Sequence, residues 1–206
     1  MPLVLTADKY LTDAQLAQLR AYVRQRADRA RRHHTRRGVE DEFIVELLLG
    51  TGLRASELIA LDLFDLPGAH GKMAVMVRHG KGDKARIVHI GLLLFGRIND
   101  YVLSYRANAK PEQPLFVNQR GARITYQTLL HKIQNLGKKA GLSLFSQSRH
   151  GCHVLRHTYA TQLYHRTKDL RLVQQQLGHS SPTITAVYAH VELDEQTQAV
   201  LNTLSS

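Results

Sequence analysis

Apolar residues in the first fifty positions recur every three or four residues, which is the spacing of amphipathic helices. Residues 12–15 have the form of a capping box that begins a helix, and Leu16, Leu19 and Val23 follow at helical spacing. A second helix is expected after Gly38. Its predicted buried stripe contains five apolar residues: Val39, Phe43, Ile44, Leu47 and Leu48.

The second predicted helix carries acidic residues at positions 40–42, which the pattern places in its first turn. Negative charge is favourable there because it interacts with the helix dipole. Residues 50–52, Gly-Thr-Gly, are expected to end this helix. Residues 54–61 are predicted to form another short helix.

The hydrophobic period changes to two in residues 73–78 and 86–90, on either side of a glycine-bearing turn at 80–84. This pattern predicts a β-hairpin. After the hairpin, five further helices are predicted: 94–105, 126–139, 153–165, 169–177 and 193–204. Turn signals separate these helices or follow them. A loop rich in serine and glycine is expected at 142–152. The chain is therefore expected to be mainly α with a small antiparallel sheet (α+β), in a single domain over residues 1–206.

Composition adds a strong positive charge to this picture. The chain of 206 residues has 28 Lys and Arg against 17 Asp and Glu, for a formal net charge of +11. Such an excess predicts a polyanionic partner, with nucleic acid as the first candidate and an acidic membrane as the second. A basic surface that serves solubility explains the composition equally well. The arginine-rich segment 24–37 is accordingly either a strip along DNA phosphates or a solvated helix end.

Other compositional features exclude several classes of protein. Cys152 is the only cysteine, so an intrachain disulfide is impossible and a reducing compartment is expected. Residues 1–5 lack the features of a signal peptide, and no apolar run approaches the length that spans a bilayer. We expect a cytoplasmic protein that has no membrane partner.

Two candidate residues for chemistry lie in or just after glycine-bearing turns. Arg54 follows the turn at 51–53 and precedes Glu57 by one helical turn, a position in which an arginine usually forms a structural ion pair. Lys81 lies between two glycines, which allow the close approach of a DNA strand, although a solvated lysine is the commoner outcome. The spacing of a nucleotide-binding P-loop is absent.

A second group of candidates lies in the last third of the chain. His153 and Arg156 are three residues apart on a predicted helix and share a face. His153 and His157 have the spacing of a metal-binding pair, but Arg156 stands where an inverted zincin motif needs its glutamate and would repel zinc. We therefore expect no metal. His179 and Tyr188 follow, and a tyrosine in such a place is ordinarily a core or interface residue.

Taken together, these residue types suit phosphodiester transfer. Arginine side chains match phosphate oxygens with forked donors and stabilise the charge that builds on phosphorus in the transition state. A tyrosine can attack phosphorus and conserve the bond energy in a covalent intermediate, while a lysine can protonate the departing sugar oxygen. No carboxylate cluster in the sequence suggests magnesium, and no cofactor is expected.

Four segments resemble the tyrosine recombinase (phage integrase) family, which includes the Xer recombinases. Residues 51–58 (TGLRASEL) resemble the first arginine motif, and residues 80–86 (GKGDKAR) resemble the hairpin with the catalytic lysine. Residues 153–158 (HVLRHT) resemble the His-x-x-Arg motif. Residues 177–190 resemble the closing segment with the third histidine and the nucleophile. The resemblance covers residues 10–192.

The resemblance implies a tyrosine recombinase catalytic core that cuts DNA through a 3′-phosphotyrosine and leaves a free 5′-hydroxyl. The two arginines and His179 would bind the scissile phosphate, and His153 would be a phosphate ligand or a proton-transfer partner. The lysine would be the general acid and the tyrosine the nucleophile. The implied catalytic residues are Arg54, Lys81, His153, Arg156, His179 and Tyr188.

The family acts as a homotetramer on two double-stranded DNA recombination sites, and a monomer is expected in free solution. Residues 192–206 are expected to form a C-terminal helix that packs on a neighbouring subunit, with folding back on their own domain as the alternative. The N-terminal core-binding domain that is common in the family is not expected here. The chain is then either a natural small recombinase or an excised fragment.

Two other functions are compatible with the same residues. A type IB topoisomerase or telomere resolvase uses similar chemistry, and it would relax supercoils without strand exchange. A DNA-binding regulator would keep the fold without cutting, but such a protein would typically have lost one of the six residues. All six are present, so an active recombinase is expected.

Overall fold

The structure is a computed structural model, and it describes five stretches of the chain: residues 9–68, 72–78, 80, 85–147 and 151–179. Within these stretches the chain forms eight helices, a 3-10 turn and a two-stranded antiparallel sheet, which confirms the predicted class. No helix in them is long and apolar enough to cross a membrane. The predicted helix at 193–204 lies outside the described residues. The elements are α1 (Asp13–Arg32), α2 (Arg36–Thr51), α3 (Ala55–Ala60), the 3-10 turn (Leu63–Asp65), β1 (Ala74–Val77), β2 (Arg86–His89), α4 (Leu92–Tyr105), α5 (Tyr126–Lys139), α6 (Leu144–Gln147), α7 (Gly151–Thr167) and α8 (Leu170–Leu177).

The helices begin and end where local chemistry satisfies their terminal hydrogen bonds. Thr12 and Gln15 form the predicted capping box, in which each side chain accepts from the backbone N–H of the other residue, at 3.3 and 3.0 Å. Asp169 caps α8 with its carboxylate. Gly52 ends α2 and Gly178 ends α8, both in the left-handed conformation (φ 62° and 64°), which glycine adopts without steric cost.

Helix α2 lies at the centre of the fold. It packs against α1, α4, α5 and α7, and the predicted stripe from Val39 to Leu48 is buried. Phe43 stacks on Tyr101 of α4 with ring centroids 4.3 Å apart. Because several helices surround α2, the segments at its two ends are held in fixed positions relative to the core.

The acidic residues of α2 do not lie in its first turn, and that prediction is wrong. The helix begins at Arg36, so Glu40, Asp41 and Glu42 lie further in, and all three are buried. Buried carboxylates require cationic partners. Neighbouring helices, and Arg36 of α2 itself, supply them in a set of ion pairs: Arg26–Asp41, Arg31–Glu42, Arg97–Glu42, Arg36–Glu40, Lys132–Glu40 and Lys132–Asp41.

Strands β1 and β2 form the predicted hairpin, with Val75 opposite Val88 and both side chains buried. Arg78, directly after β1, forms ion pairs with two carboxylates at the preceding 3-10 turn. Arg86 is the first residue of β2. Both strands are thus anchored by arginines where they meet the turn, while Lys81 in the turn lies outside the described residues.

The segment that the sequence predicts as a loop before His153 contains the one-turn helix α6. Its Phe145 is buried against α5 at Gly137, where a Cβ would collide with the ring. A four-residue helix is too short to show a hydrophobic period, and for this reason the pattern misses it.

The contact between Gly137 and Phe145 predicts that Gly137→Ala destabilises the protein. The added methyl group meets the ring, and such overpacking costs roughly 1–3 kcal/mol. Gly96→Ala is the matched control because Gly96 is also helical and a Cβ there meets nothing within 4 Å. That change should raise stability by up to about 1 kcal/mol. Chemical denaturation measures both, and equal stabilities would contradict the packing of α6.

Candidate active site

The loop between α2 and α3 places Arg54 at the start of α3. Gly52 turns the chain, and Arg54 follows in an extended conformation as the N-cap residue. Glu57 holds Arg54 at two points, because its carboxylate accepts from the Arg54 backbone N–H and from Nη1, both at 2.8 Å. The structural ion pair considered for Arg54 is therefore present. It leaves the arginine side chain 22% exposed.

Arg156, on α7, joins two segments that are far apart in sequence. Its Nη1 donates to the Gly52 carbonyl at 2.6 Å and its Nη2 to the Leu177 carbonyl at 2.8 Å. Nη1 also lies 3.9 Å from a carboxylate oxygen of Glu57. Arg156 is buried, and its guanidinium therefore lies between the loop that carries Arg54 and the C-terminal end of α8.

The end of α8 brings His179 close to the two arginines. After Gly178, the His179 backbone N–H donates to the Gln174 carbonyl at 3.1 Å, and the Gln174 amide donates to the His179 carbonyl at 3.2 Å. Burial, together with the positive charges of Arg156 and Arg54, lowers the pKa of His179 to about 3. The imidazole of the free protein is therefore neutral at pH 7.

The first two of the three histidines of α7 differ in environment. His153 is exposed in the first turn, whereas His157, one turn later, is partly buried, and their ring centroids are 6.4 Å apart. Burial, with the charges of His153 and Arg156, lowers the pKa of His157 to about 4. Among the residues described, no group of three or more His, Cys, Asp or Glu side chains is arranged to hold a metal ion.

Two residues of this site, Glu57 and Arg86, are absent from the sequence candidates. Arg86 Nη1 and Nη2 donate to the two Glu57 oxygens at 2.7 and 2.8 Å. Burial alone would raise the pKa of Glu57, but hydrogen bonds from Arg86 and Arg54 lower it to about 2. The signals in the sequence are that both residues lie inside motifs, at 51–58 and 80–86, and that Glu57 lies one helical turn after Arg54. Their pairing spans 29 positions and is not visible there.

The structure brings three of the predicted site residues together. Arg54 and Arg156 both approach the Glu57 carboxylate, and His179 is close enough for both positive charges to lower its pKa. His153 lies on α7, one helical turn before Arg156. Two predicted site residues lie outside the described residues: Lys81 and Tyr188.

A basic cleft lies around the N-terminal end of α2. It consists of two adjoining cavities of about 680 and 560 Å³, formed by the end of α1, the start of α2, α5 and the loop at 117–119. Three of its basic residues belong to the ion pairs with Glu40 and Asp41. Within the stretches described, no carboxylate pairs with the other three, which are Arg29, Arg37 and Lys139. The arginine-rich segment therefore has both a structural part and a part accessible to an anion.

Comparison with known proteins gives consistent matches. The model of the phage integrase family matches residues 9–195. Tyrosine recombinase XerD of Oceanobacillus iheyensis is 38% identical over 162 residues, which are 77% of this chain and 52% of that protein. Tyrosine recombinase XerC of Actinobacillus pleuropneumoniae is 36% identical over 160 residues, 77% of this chain and 50% of that protein. The chain thus spans about half the length of the curated relatives it matches.

Solved recombinase structures share the fold. The crystal structure of XerA recombinase matches with a TM-score of 0.73 at 29% identity. The match covers 97% of this chain and 65% of the XerA chain. The crystal structure of XerH site-specific recombinase bound to difH substrate, a pre-cleavage complex, matches with a TM-score of 0.70 at 25% identity. The match covers 92% of this chain and 52% of the XerH chain. The predicted fold, that of a tyrosine recombinase catalytic core, is confirmed.

The surroundings of Glu57 predict how Glu57→Gln changes the free energy of unfolding with pH. The pKa of Glu57 is about 2 in the folded protein against an ordinary value of 4.5. Because this pKa is depressed, the ionised carboxylate stabilises the fold above pH 4.5 by roughly 3 kcal/mol, and this contribution is lost as the pH falls towards 2. In denaturation experiments at pH 7, the free energy of unfolding should be lower in the variant than in the wild type by this amount. The difference should narrow below pH 4.5.

Glu46→Gln is the matched control for this experiment. Glu46 pairs with Arg20, whose side chain is more exposed than those around Glu57, so its loss should cost about 1 kcal/mol or less. If the difference in unfolding free energy between wild type and Glu57→Gln stays constant from pH 7 to pH 2, the carboxylate is not in an ionised, arginine-bound state.

Proposed function

Because this chain belongs to the phage integrase family, we propose that it is a site-specific DNA recombinase, which cleaves and rejoins strands through a 3′-phosphotyrosine intermediate. The observation that carries the proposal is the convergence of Arg54, Arg156 and His179 from three separate segments. Fixed cations and hydrogen-bond donors suit a phosphodiester, whose negative charge grows in the transition state. The relatives, which are named as tyrosine recombinases, support the same activity.

In the proposed reaction, the phenolic oxygen of Tyr188 attacks the scissile phosphorus and loses its proton as the phosphotyrosine ester forms. The bond from phosphorus to the 5′ oxygen breaks, and Lys81 protonates that oxygen as general acid. The exposed His153 acts as phosphate ligand or as proton-transfer partner. Attack by the 5′-hydroxyl of a partner duplex then releases the tyrosine, and no ATP is consumed because the ester conserves the bond energy.

The three clustered residues have different proposed contributions. Arg54 is partly exposed, so it can reach a phosphate with donors that Glu57 does not occupy. Arg156 is buried with two donors on carbonyls, and it supplies a fixed positive charge. His179 is neutral in the free protein, and it therefore donates a hydrogen bond to the phosphate without adding repulsion to the two arginines.

Double-stranded DNA recombination sites are the proposed partner. The net charge of +11 and the binding of difH substrate by the similar XerH support this assignment. We place DNA phosphates also in the basic cleft, at Arg29, Arg37 and Lys139. Helix α2 has 16 residues and is about 24 Å long, so the cleft would hold phosphates well away from the one that is cut.

The proposed assembly is a homotetramer on DNA that forms from monomers in free solution. Residues 1–206 would act as one catalytic domain, in which residues 192–206 pack on a neighbouring subunit. The proposed location is the cytoplasm, in association with the nucleoid, because the DNA sites are there.

A covalent selection tests the activity and identifies the target site in the same experiment. Nicked duplexes with a randomised site trap the phosphotyrosine, because the short fragment with the 5′-hydroxyl diffuses away before rejoining. The wild type should form DNA adducts that survive denaturing electrophoresis, and sequencing of the trapped DNA gives the site. Tyr188→Phe, which lacks only the attacking oxygen, should bind the same DNA and form none.

Other outcomes of this selection identify the competing functions. Binding without any adduct by the wild type would contradict the proposal and indicate a regulator. Adducts together with relaxation of a supercoiled plasmid, but without strand exchange between two selected sites, would indicate a topoisomerase.

The basic cleft predicts a specific change in the salt dependence of DNA binding. Removal of both cleft arginines in Arg29→Ala/Arg37→Ala should weaken binding and flatten the slope of log K against log salt by about 2, since each phosphate contact contributes about 0.9. Arg24→Ala is the control, because Arg24 is exposed on α1 but does not line the cleft. Fluorescence anisotropy over a salt series measures the slopes, and a double variant with the wild-type slope would exclude the cleft from the interface.

A further inference from the structure

Arg86 makes more contacts to the candidate active site than its position on a strand suggests. Its Nη1 and Nη2 donate to the two oxygens of Glu57 at 2.7 and 2.8 Å, and its Nε donates to the Gln176 carbonyl at 3.1 Å. The side chain is 11% exposed. Its stem lies against Gly178, where a Cβ would come within 2.8 Å of the Arg86 Cδ. A single guanidinium thus connects β2, α3 and the end of α8.

Each contact of Arg86 is made next to a residue that we assign to the reaction. Glu57 is the carboxylate that orients Arg54 through two hydrogen bonds. Gln176 lies three residues before His179. Arg86 itself lies five residues after Lys81 in the sequence, as the first residue of β2.

From these contacts we propose that Arg86 is a positioning residue of the recombinase active site. It fixes Arg54 and His179 relative to each other and to the hairpin, and it does not touch the DNA. The inference rests on the proposed function. Its physical basis is that three donors of the guanidinium are occupied by protein acceptors in a planar arrangement, which a lysine cannot reproduce.

The hydrogen-bonding pattern distinguishes Arg86 from an arginine that binds phosphate. Arg54 donates to Glu57 with one terminal nitrogen and is 22% exposed, whereas Arg86 uses both terminal nitrogens and Nε and is half as exposed. Arg86 is also among the cations that lower the pKa of His179. The positive charge of Arg86 therefore acts on His179, although its N–H donors are bound to acceptors of the protein.

Arg123 provides a matched control outside this cluster. It too bridges one carboxylate and backbone carbonyls, since it donates to Asp62 and to the carbonyls of Ile59 and Leu61. Loss of either arginine should therefore lower the folding stability. Only loss of Arg86 should disturb the arrangement of Arg54 and His179.

The experiment compares wild type with Arg86→Met, Arg86→Lys and Arg123→Met on DNA obtained from the covalent selection. Single-turnover cleavage is measured at saturating protein, with DNA affinity and thermal unfolding in parallel. Both Arg86 variants should cleave at least about tenfold slower, because misplaced groups lose transition-state contacts, while DNA affinity stays within about threefold. Arg123→Met should lose stability but cleave at the wild-type rate.

A second measurement needs no DNA. Nuclear magnetic resonance of the histidine rings should show a higher pKa of His179 in Arg86→Met, because one neighbouring cation is gone, and little change in Arg86→Lys or Arg123→Met. The lysine variant then separates charge from geometry, since it keeps the pKa and still loses the rate. If Arg86→Met does not fold, Arg86→Lys carries the test.

The results divide the two proposals cleanly. Wild-type cleavage rates in the Arg86 variants, or an equal loss in Arg123→Met, would overturn the positioning role while the recombinase activity stands. An unchanged His179 pKa in Arg86→Met would overturn the coupling between the two residues. A wild type that forms no adduct refutes the activity itself, and the inference built on it.

Discussion

One buried carboxylate, Glu57, allows several guanidinium groups to share a small volume. Two unit charges 4 Å apart interact by about 4 kcal/mol at an effective dielectric constant of about 20, so arginines crowded together repel one another strongly. Glu57 accepts hydrogen bonds from Arg54 and Arg86 and lies 3.9 Å from Arg156. Three arginines against one carboxylate leave a surplus of two positive charges, which favours an anion.

Buried carboxylates also hold cationic side chains together at the opposite end of α2. Glu40 and Asp41 are buried and hold arginines and a lysine from three helices, while Arg29 and Arg37 in the same cleft have no carboxylate partner among the described residues. The net charge of +11 is thus divided between cations that stabilise the fold and cations that an anion can reach. Helix α2 keeps the cations around Glu57 and those of the basic cleft at a fixed separation.

The sequence predicts those parts of the fold that local chemistry decides. Helix α1 and the hairpin follow from capping residues and hydrophobic periods, and they are confirmed. Helix α6 is missed because its four residues are too few to show a hydrophobic period, and because the contact of Phe145 with Gly137 that fixes it is tertiary. The motifs identify Arg54 and Arg156 as candidates, but their meeting depends on backbone carbonyls of distant segments. The pairing of Arg86 with Glu57 is hidden for the same reason, and the assignments of Lys81 and Tyr188 stay predictions.

If Arg54, Arg156 and His179 act on one phosphate, the three residues must respond together to a single bound anion. Orthovanadate is a tetrahedral analogue of phosphate, and its binding can be followed by nuclear magnetic resonance of arginine Nε–H groups and histidine rings. We expect the signals of all three residues to shift in one saturable transition with a common Kd, and we expect Arg54→Ala to abolish this transition. Transitions with separate Kd values for the three residues, or no response of His179, would contradict a shared phosphate site.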